Sequence, residues 1–445
     1  MNPPAPSESP TPSGAPTLQE APTLREAPTL REATREWARI GVLSFGGPAA
    51  QIALMHRVVV DERGWLSERR FLDALAFCTL LPGPEAMQLA TFAGWRLHGV
   101  RGGLVAGLLF VLPGAAVMMA LAALYVRLGD VPFVQALFFG VKAAVLAIVV
   151  EALLRVGRRA LAGRDETAVA ILAFLALFLL DLPYPLVVAA AALWGALRGS
   201  TGTGTPVVET AALPQRVSLP WRASLRTAVL WLAIWWGPIL LLLPLGHTLL
   251  WEVGRFFSWL ATLTFGGAYA VLAWMAQEAV ETEGWLSAGA MMDGLGLAET
   301  TPGPLILVTQ FVGFLAGAGA GTGDLWGGVL AATVALWATF APCFLWVFAG
   351  APLVDAIMAR PRLRGALGGV TAAVVGVIAS LSLWFALHVL FGTVERVAWG
   401  WLPHWSTFDW RAALIAVVAA VLLLVLHRGI ALTLALAAGL GLLLL

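Results

Sequence analysis

Charge is scarce in this sequence. Asp, Glu, Lys and Arg make up 12% of its 445 residues, about half the share found in soluble domains. Only two cysteines occur, Cys78 and Cys343, far apart and inside apolar stretches, which excludes a disulfide framework and a zinc site built on thiolates. The six histidines are scattered, with no metal-ligand spacing. A phosphate loop, a dinucleotide fingerprint and a nucleophile elbow are all missing, so the chain offers no ATPase domain and no cofactor. A net charge of +1 gives no footprint for nucleic acid. Lysine is the rarest of the charged types: Lys142 stands alone among 27 basic residues.

Apolar sequence is what remains. The chain is 60% hydrophobic, with a mean hydropathy of +0.85. Runs at 102–126, 133–154, 225–245, 325–349 and 367–390 approach or exceed the ~20 residues that cross a bilayer core. The reading is an all-α polytopic integral membrane protein. Residues 1–35 differ: APTLQE, APTLRE and APTLRE follow one another from Ala15 to Glu32, with too little to bury, and predict a disordered tail. This stretch lacks the order of regions that marks a signal peptide.

An internal duplication organises the rest. A shift of 220 residues superposes Phe45-Gly46-Gly47 on Phe265-Gly266-Gly267, Gly64-Trp65-Leu66-Ser67 on Gly284-Trp285-Leu286-Ser287, Asp73 on Asp293, and Pro82-Gly83-Pro84 on Pro302-Gly303-Pro304. Of the 40 positions from 45 to 84, 16 are identical, many of them Gly, Trp, Pro and Asp, which shared hydrophobicity would not produce. Arginine orients the copies, because cytoplasmic loops accumulate basic residues. The first copy carries Arg57, Arg63, Arg69, Arg70, Arg96 and Arg101 where the second carries Glu278, Glu281 and Glu283 and no base. The repeats are therefore expected to be inverted. Basic residues flank both ends of 71–95, and both ends of 286–318 lack them, so each segment is expected to dip into the membrane and return. The division reads as repeat 1 at 36–198, a linker at 199–223 and repeat 2 at 224–445, with a connecting helix at 224–247 and the motif region from 256. The short pairs 168–180/184–197 and 410–426/429–445 are left open between spanning and dipping.

Two inverted-topology repeats with broken or re-entrant helices place binding at the paired breaks. Proline removes a backbone donor and glycine permits positive φ; in hydrocarbon such breaks survive only against protein or a water-filled cavity. Half-helices beginning there offer N–H groups and a positive dipole end to an anion. The substrate set is Gly46, Gly47, Pro48, Pro82, Gly83, Pro84, Gly266, Gly267, Pro302, Gly303 and Pro304. Gln51, Gln88 and Thr301 stand as hydrogen-bond donors. Packing kinks and helix-to-helix glue are the plainer readings. Lys142, mid-membrane, is a positive charge for a dianion or the partner of a glutamate such as Glu151. Glu85, Glu299 and Glu151 are coupling candidates for a proton, or else caps and arginine partners. Arg96 and Arg101 would attract an anion at its entry. Asp73 and Asp293, near segment starts, suit helix-dipole partners.

With Phe-Gly-Gly-Pro, Gly-Trp-Leu-Ser, the run Leu80-Leu81-Pro82-Gly83-Pro84 and the second set at Phe265 and Pro302, the sequence resembles the chromate transporter family in its long, two-domain form, over roughly residues 36–445. Ala268 replaces Pro48 in the second copy. The resemblance implies a bacterial inner-membrane protein that exports chromate or a related tetrahedral oxyanion by alternating access, with its N-terminus cytoplasmic and a homodimer admitted. A sulfate carrier is the alternative within this class. An anion channel should show a filter ring or a polar stripe, and an intramembrane enzyme a convergent nucleophile, base or metal set; the sequence shows neither.

Overall fold

The computed structural model describes residues 28–45, 47–129, 131–198, 221–265, 268–319, 323–351, 361–397 and 400–445. Gly46, Gly266, Gly267, residues 1–27 of the expected tail and residues 199–220 of the expected linker lie outside these. Helix α1 (Leu30–Leu43) starts five residues before the expected end of the tail, because Thr29 and Glu32 form a capping box that satisfies two orphan donors at its start. Its buried face is Ala33, Trp37, Ile40 and Gly41, the three-and-four spacing of an amphipathic helix.

In the first copy, α1 is followed by α2 (Gly47–His56), a π turn (Arg57–Glu62) and α3 (Glu68–Leu80). The chain breaks at Leu81–Pro84 and re-enters helix as α4 (Glu85–Leu128), which runs on through a kink at His98 and Gly99, the latter at φ 60° and ψ −152°. Residues 85–97 are thus the return arm of a short hairpin, and 100–128 a separate long helix. Gly94 and Gly102 let the two arms close: a Cβ at Gly94 would lie 2.4 Å from the Gly102 carbonyl oxygen. Then come α5 (Pro132–Ala160), α6 (Arg164–Phe178) and α7 (Tyr184–Arg198).

The second copy repeats this order after α8 (Trp221–Leu242): α9 (Thr248–Leu263), α10 (Ala268–Gln277), a π turn (Glu278–Thr282), α11 (Ala288–Thr300), a 3-10 turn (Leu305–Leu307) leading into α12 (Val308–Ala318), then α13 (Leu325–Gly350), α14 (Pro361–Leu390), α15 (Trp410–Ala420) and α16 (Ile430–Leu444). Between α14 and α15 lies a hairpin of β1 (Val394–Val397) and β2 (Gly400–Pro403), a small piece of sheet in an otherwise helical protein. Among the described residues, five helices are long and apolar enough to cross a membrane: 85–128, 132–160, 222–242, 325–350 and 361–390. The protein is an all-α polytopic membrane protein.

The halves interlock through their last hairpins. α5 packs on α15 and α16, and α14 packs on α6 and α7, so each half lends its final hairpin to the other. Small residues bring the backbones together, as helix packing in lipid requires. A Cβ at Gly140 would meet the Ala437 carbonyl at 1.9 Å and one at Gly441 the Ala136 carbonyl at 2.3 Å; reciprocally, Gly369 faces Ala191 at 2.2 Å and Gly195 faces Gly365 at 2.1 Å. Among the described residues the two non-glycine positions with positive φ also match, Asp181 at 51° and His427 at 49°, each in the loop between its two hairpin helices.

Candidate functional site

The broken helices pair crosswise. The Gly83 N–H donates to the Thr264 carbonyl at the end of α9, and the Gly303 N–H donates to the Ser44 carbonyl at the end of α1, both at 2.7 Å. Each Pro-Gly-Pro break therefore satisfies the open helix end of the opposite half, as backbone freed inside a membrane must be satisfied by protein. Glycine is required at both centres, where φ is 120° at Gly83 and 92° at Gly303, values that L side chains rarely adopt. The long helices complete the cradle. A Cβ at Gly114 would lie 2.0 Å from the Pro302 carbonyl oxygen, and Cys343 Sγ lies 3.1 Å from the Cβ position of Gly83.

Several expected donors serve these breaks. Gln51 donates to the Gly303 carbonyl at 2.6 Å, Gln88 to the Pro82 carbonyl at 2.7 Å and the Thr301 hydroxyl to Leu297 in its own helix at 2.6 Å. Lys142 pairs with Asp293 at 3.2 Å, not with Glu151, and the Tyr125 hydroxyl donates to the same Asp293 oxygen at 2.8 Å. Asp293, the sixth residue of α11, is 2% exposed, whereas its repeat partner Asp73 is exposed. It acts as a tether between the halves and not as a helix-start dipole partner. Arg96 and Arg101 are exposed beside the kink at the far end of the 85–97 arm, roughly 17 Å from the break by helix rise. Glu85 stays near Thr79, whose hydroxyl lies 3.4 Å away.

A cavity of about 450 Å³ opens where Phe45, next to the first break, meets Glu299 and Thr300, just before the Pro302 break. This is within the range of small-molecule sites. Glu151 and Arg155 of α5 line it, as do His427 and Arg428 of the loop before α16. Arg155 and Glu151 form an ion pair at 2.5 Å. The Tyr269 hydroxyl donates to Glu299 Oε1 at 2.6 Å. Of the expected site residues the structure brings Glu151 and Glu299 together here. Arg155, His427, Arg428 and Tyr269 were not singled out by sequence as site residues. The signal for Arg155 was present in the i,i+4 spacing of Glu151 and Arg155 inside an apolar run, masked by Arg158 and Arg159 beyond it.

The matching region of the other half is filled. Superposing Gly140-Val141 of α5 on Gly369-Val370 of α14 puts Ser380 at the place of Glu151 and Trp384 at that of Arg155. Tyr184 stacks on Trp274 with ring centroids 5.6 Å apart, and Trp384 lies 4.2 Å from His388. Tyr184, Trp274, Trp384 and Trp401 line a space of about 30 Å³. Arg396 of β1 closes this side by pairing with Asp181 and with Glu281 at 3.1 Å, its guanidinium 5.6 Å from the Trp401 ring centre. Burial pushes the Glu281 carboxyl above its ordinary range, with Arg396 and the Trp384 N–H opposing.

A sequence model described as Chromate transporter matches residues 31–196 and 251–442. The chromate transport protein of Pseudomonas aeruginosa is 35% identical over 370 residues, covering 81% of this chain and 80% of that protein. The chromate transport protein of Cupriavidus metallidurans is 28% identical over 359 residues, covering 76% and 78%. An uncharacterized transporter of Methanocaldococcus jannaschii is 24% identical over 353 residues, covering 79% and 83%. No solved structure matches the chain.

Proposed function

The chain belongs to the chromate transporter family, and from that membership we propose that it carries chromate, or a related tetrahedral oxyanion, out of the cytoplasm by alternating access. The observation that supports this reading is the one-sided cavity beside the crossed breaks. Arg155 stands in it as a planar, permanently charged donor suited to oxyanions. Arg428, without an ion-pair partner among the described residues, adds attraction at its edge. An incoming anion would share Arg155 with Glu151, which engages one guanidinium nitrogen and leaves further N–H donors to the anion.

On this reading the cavity faces the cytoplasm, since Arg158, Arg159 and Arg428 lie on its side and basic residues accumulate there. The aromatic block and the Arg396 clasp would then be the closed outer path. The two repeats are inverted and rock against each other, exchanging which side is open. Gly46, Gly47, Pro48, Pro82, Gly83, Pro84, Gly266, Gly267, Thr301, Pro302, Gly303 and Pro304 shape the frame, with Gln88 holding the first break. Lys142 contributes positive charge only after leaving Asp293. Glu85, Glu151 and Glu299 are the residues able to couple transport to protons, and Arg96 and Arg101 are entry charges.

Everted membrane vesicles test the proposal. Wild-type vesicles are expected to accumulate radiolabelled chromate, and vesicles carrying Arg155→Gln at equal abundance to lose that accumulation. Suppression by excess sulfate would extend the substrate class to sulfate. Absence of flux in the wild type would reject chromate as the cargo.

A further inference from the structure

The cavity contains two carboxylates that an anion must face. Glu151 is held by Arg155 at 2.5 Å. Glu299 is different: it is 7% exposed, its Oε1 accepts from Tyr269, and its buried Oε2 has no hydrogen-bond partner among the described residues. An ionised carboxylate with one oxygen buried and bare loses hydration without compensation and repels a dianion. The same group as a carboxylic acid has an O–H to give, and the oxygen of an oxyanion is the acceptor that suits it.

The charge balance points the same way. Arg155 and Arg428 bring two positive charges to the lining, and Glu151 and Glu299 bring two negative ones. A dianion added to that set is uncompensated until one carboxylate is neutralised. Glu85 does not line the cavity, and Glu151 is engaged by arginine. The groups that face Glu299 are Tyr269 from α10, Arg155 and Glu151 from α5, and His427 and Arg428 from the loop before α16. α12 and α16 carry no titratable side chain, and none from α4 or α14 lines the cavity. The repeat counterpart of Glu299 is Thr79, so the feature exists in one half only.

We propose that Glu299 is the proton-binding residue of the anion site, present in the loaded state as a carboxylic acid whose Oε2–H donates to the bound oxyanion, so that each anion binds together with one proton. The proton is taken up from bulk solvent and its buffer through the open cavity, and it leaves with the anion when the site empties. This inference rests on the reading of the cavity as the anion site. It adds a stoichiometry, names one of three glutamates as its origin and makes the transported charge one less negative than the anion itself.

The experiment is titration calorimetry of the purified full chain with chromate at pH 8, in two buffers of different ionisation heat, whose difference counts protons taken up per anion. Wild type is expected to take up about one proton, and its affinity relative to Glu299→Gln to fall about tenfold per pH unit above the transition, as linkage of one proton requires. Glu299→Gln is expected to bind with no uptake, its amide donating in place of the acid. Should that variant fail to fold, Glu299→Thr, which copies Thr79, gives the same count. Glu151→Gln is expected to keep the count at one. A wild type that binds without uptake, a Glu299 variant that retains it, or a Glu151→Gln that loses it overturns the proposal. Arg155→Gln separates the layers: binding as tight as wild type would reject the cavity reading itself, while lost binding leaves the proton count to decide on Glu299.

Discussion

The two halves use one backbone plan and fill it in opposite ways. On α5 the plan presents Glu151 and Arg155 to a cavity of about 450 Å³. On α14, at the same register, it presents Ser380 and Trp384 to rings that leave about 30 Å³. The crossed hydrogen bonds at Gly83 and Gly303 and the paired glycine contacts are the same on both sides, so backbone geometry does not decide which side is open. Side-chain volume and charge do. Duplication supplied a symmetric frame, and a few substitutions within it made one face receptive and the other closed.

The strongest way to break that contrast is to copy one side onto the other. Arg155→Trp, which installs the residue of the closed half, is expected to reduce chromate flux to background. Chain abundance and a monodisperse profile on size exclusion should be retained, because the closed half already accommodates the ring. Next is the asymmetric tether. Lys142→Ala leaves Asp293 buried beside Tyr125 alone and is expected to cost about 3 kcal/mol, read by unfolding in mixed micelles. Thr371→Ala, at the matching position of α14, should stay within about 0.5 kcal/mol. Equal losses at the two positions would mean that the tether does not distinguish the halves.

Smaller effects sharpen the symmetric part. Gly140→Ala and Gly369→Ala each push a Cβ against a carbonyl of the other half and are expected to cost about 1–3 kcal/mol apiece, in similar amounts, by the same unfolding measurement. The least is expected from Arg396→Gln on the closed side. Its side chain is 47% exposed, and an ion pair of that kind contributes under about 1 kcal/mol, so the melting temperature should barely move.

The sequence made the frame legible because breaks inside a membrane need particular residues. Gly and Pro at a fixed offset survive as identities where apolar positions drift. The partners of the breaks were not legible. Ser44 and Thr264 take part through carbonyl oxygens, which every residue has. The Lys142–Asp293 pair joins residues far apart in the chain with nothing local to link them. Arg155 lies close to Arg158 and Arg159 in sequence, and only its place in the fold shows that it turns into the cavity together with a glutamate one turn away. The hairpin exchange was hidden for a related reason: small residues mark close packing without naming the helix they pack against.

That exchange has a consequence for how the protein is made. The Gly140 face of α5 is closed by Ala437 of α16, a residue synthesised long after it. At ordinary elongation rates of ~5–20 residues per second the wait is roughly 15–60 s. Through that interval the first half is in the membrane with its groove uncovered, and the insertion machinery or surrounding lipid must occupy the place until the closing helix arrives.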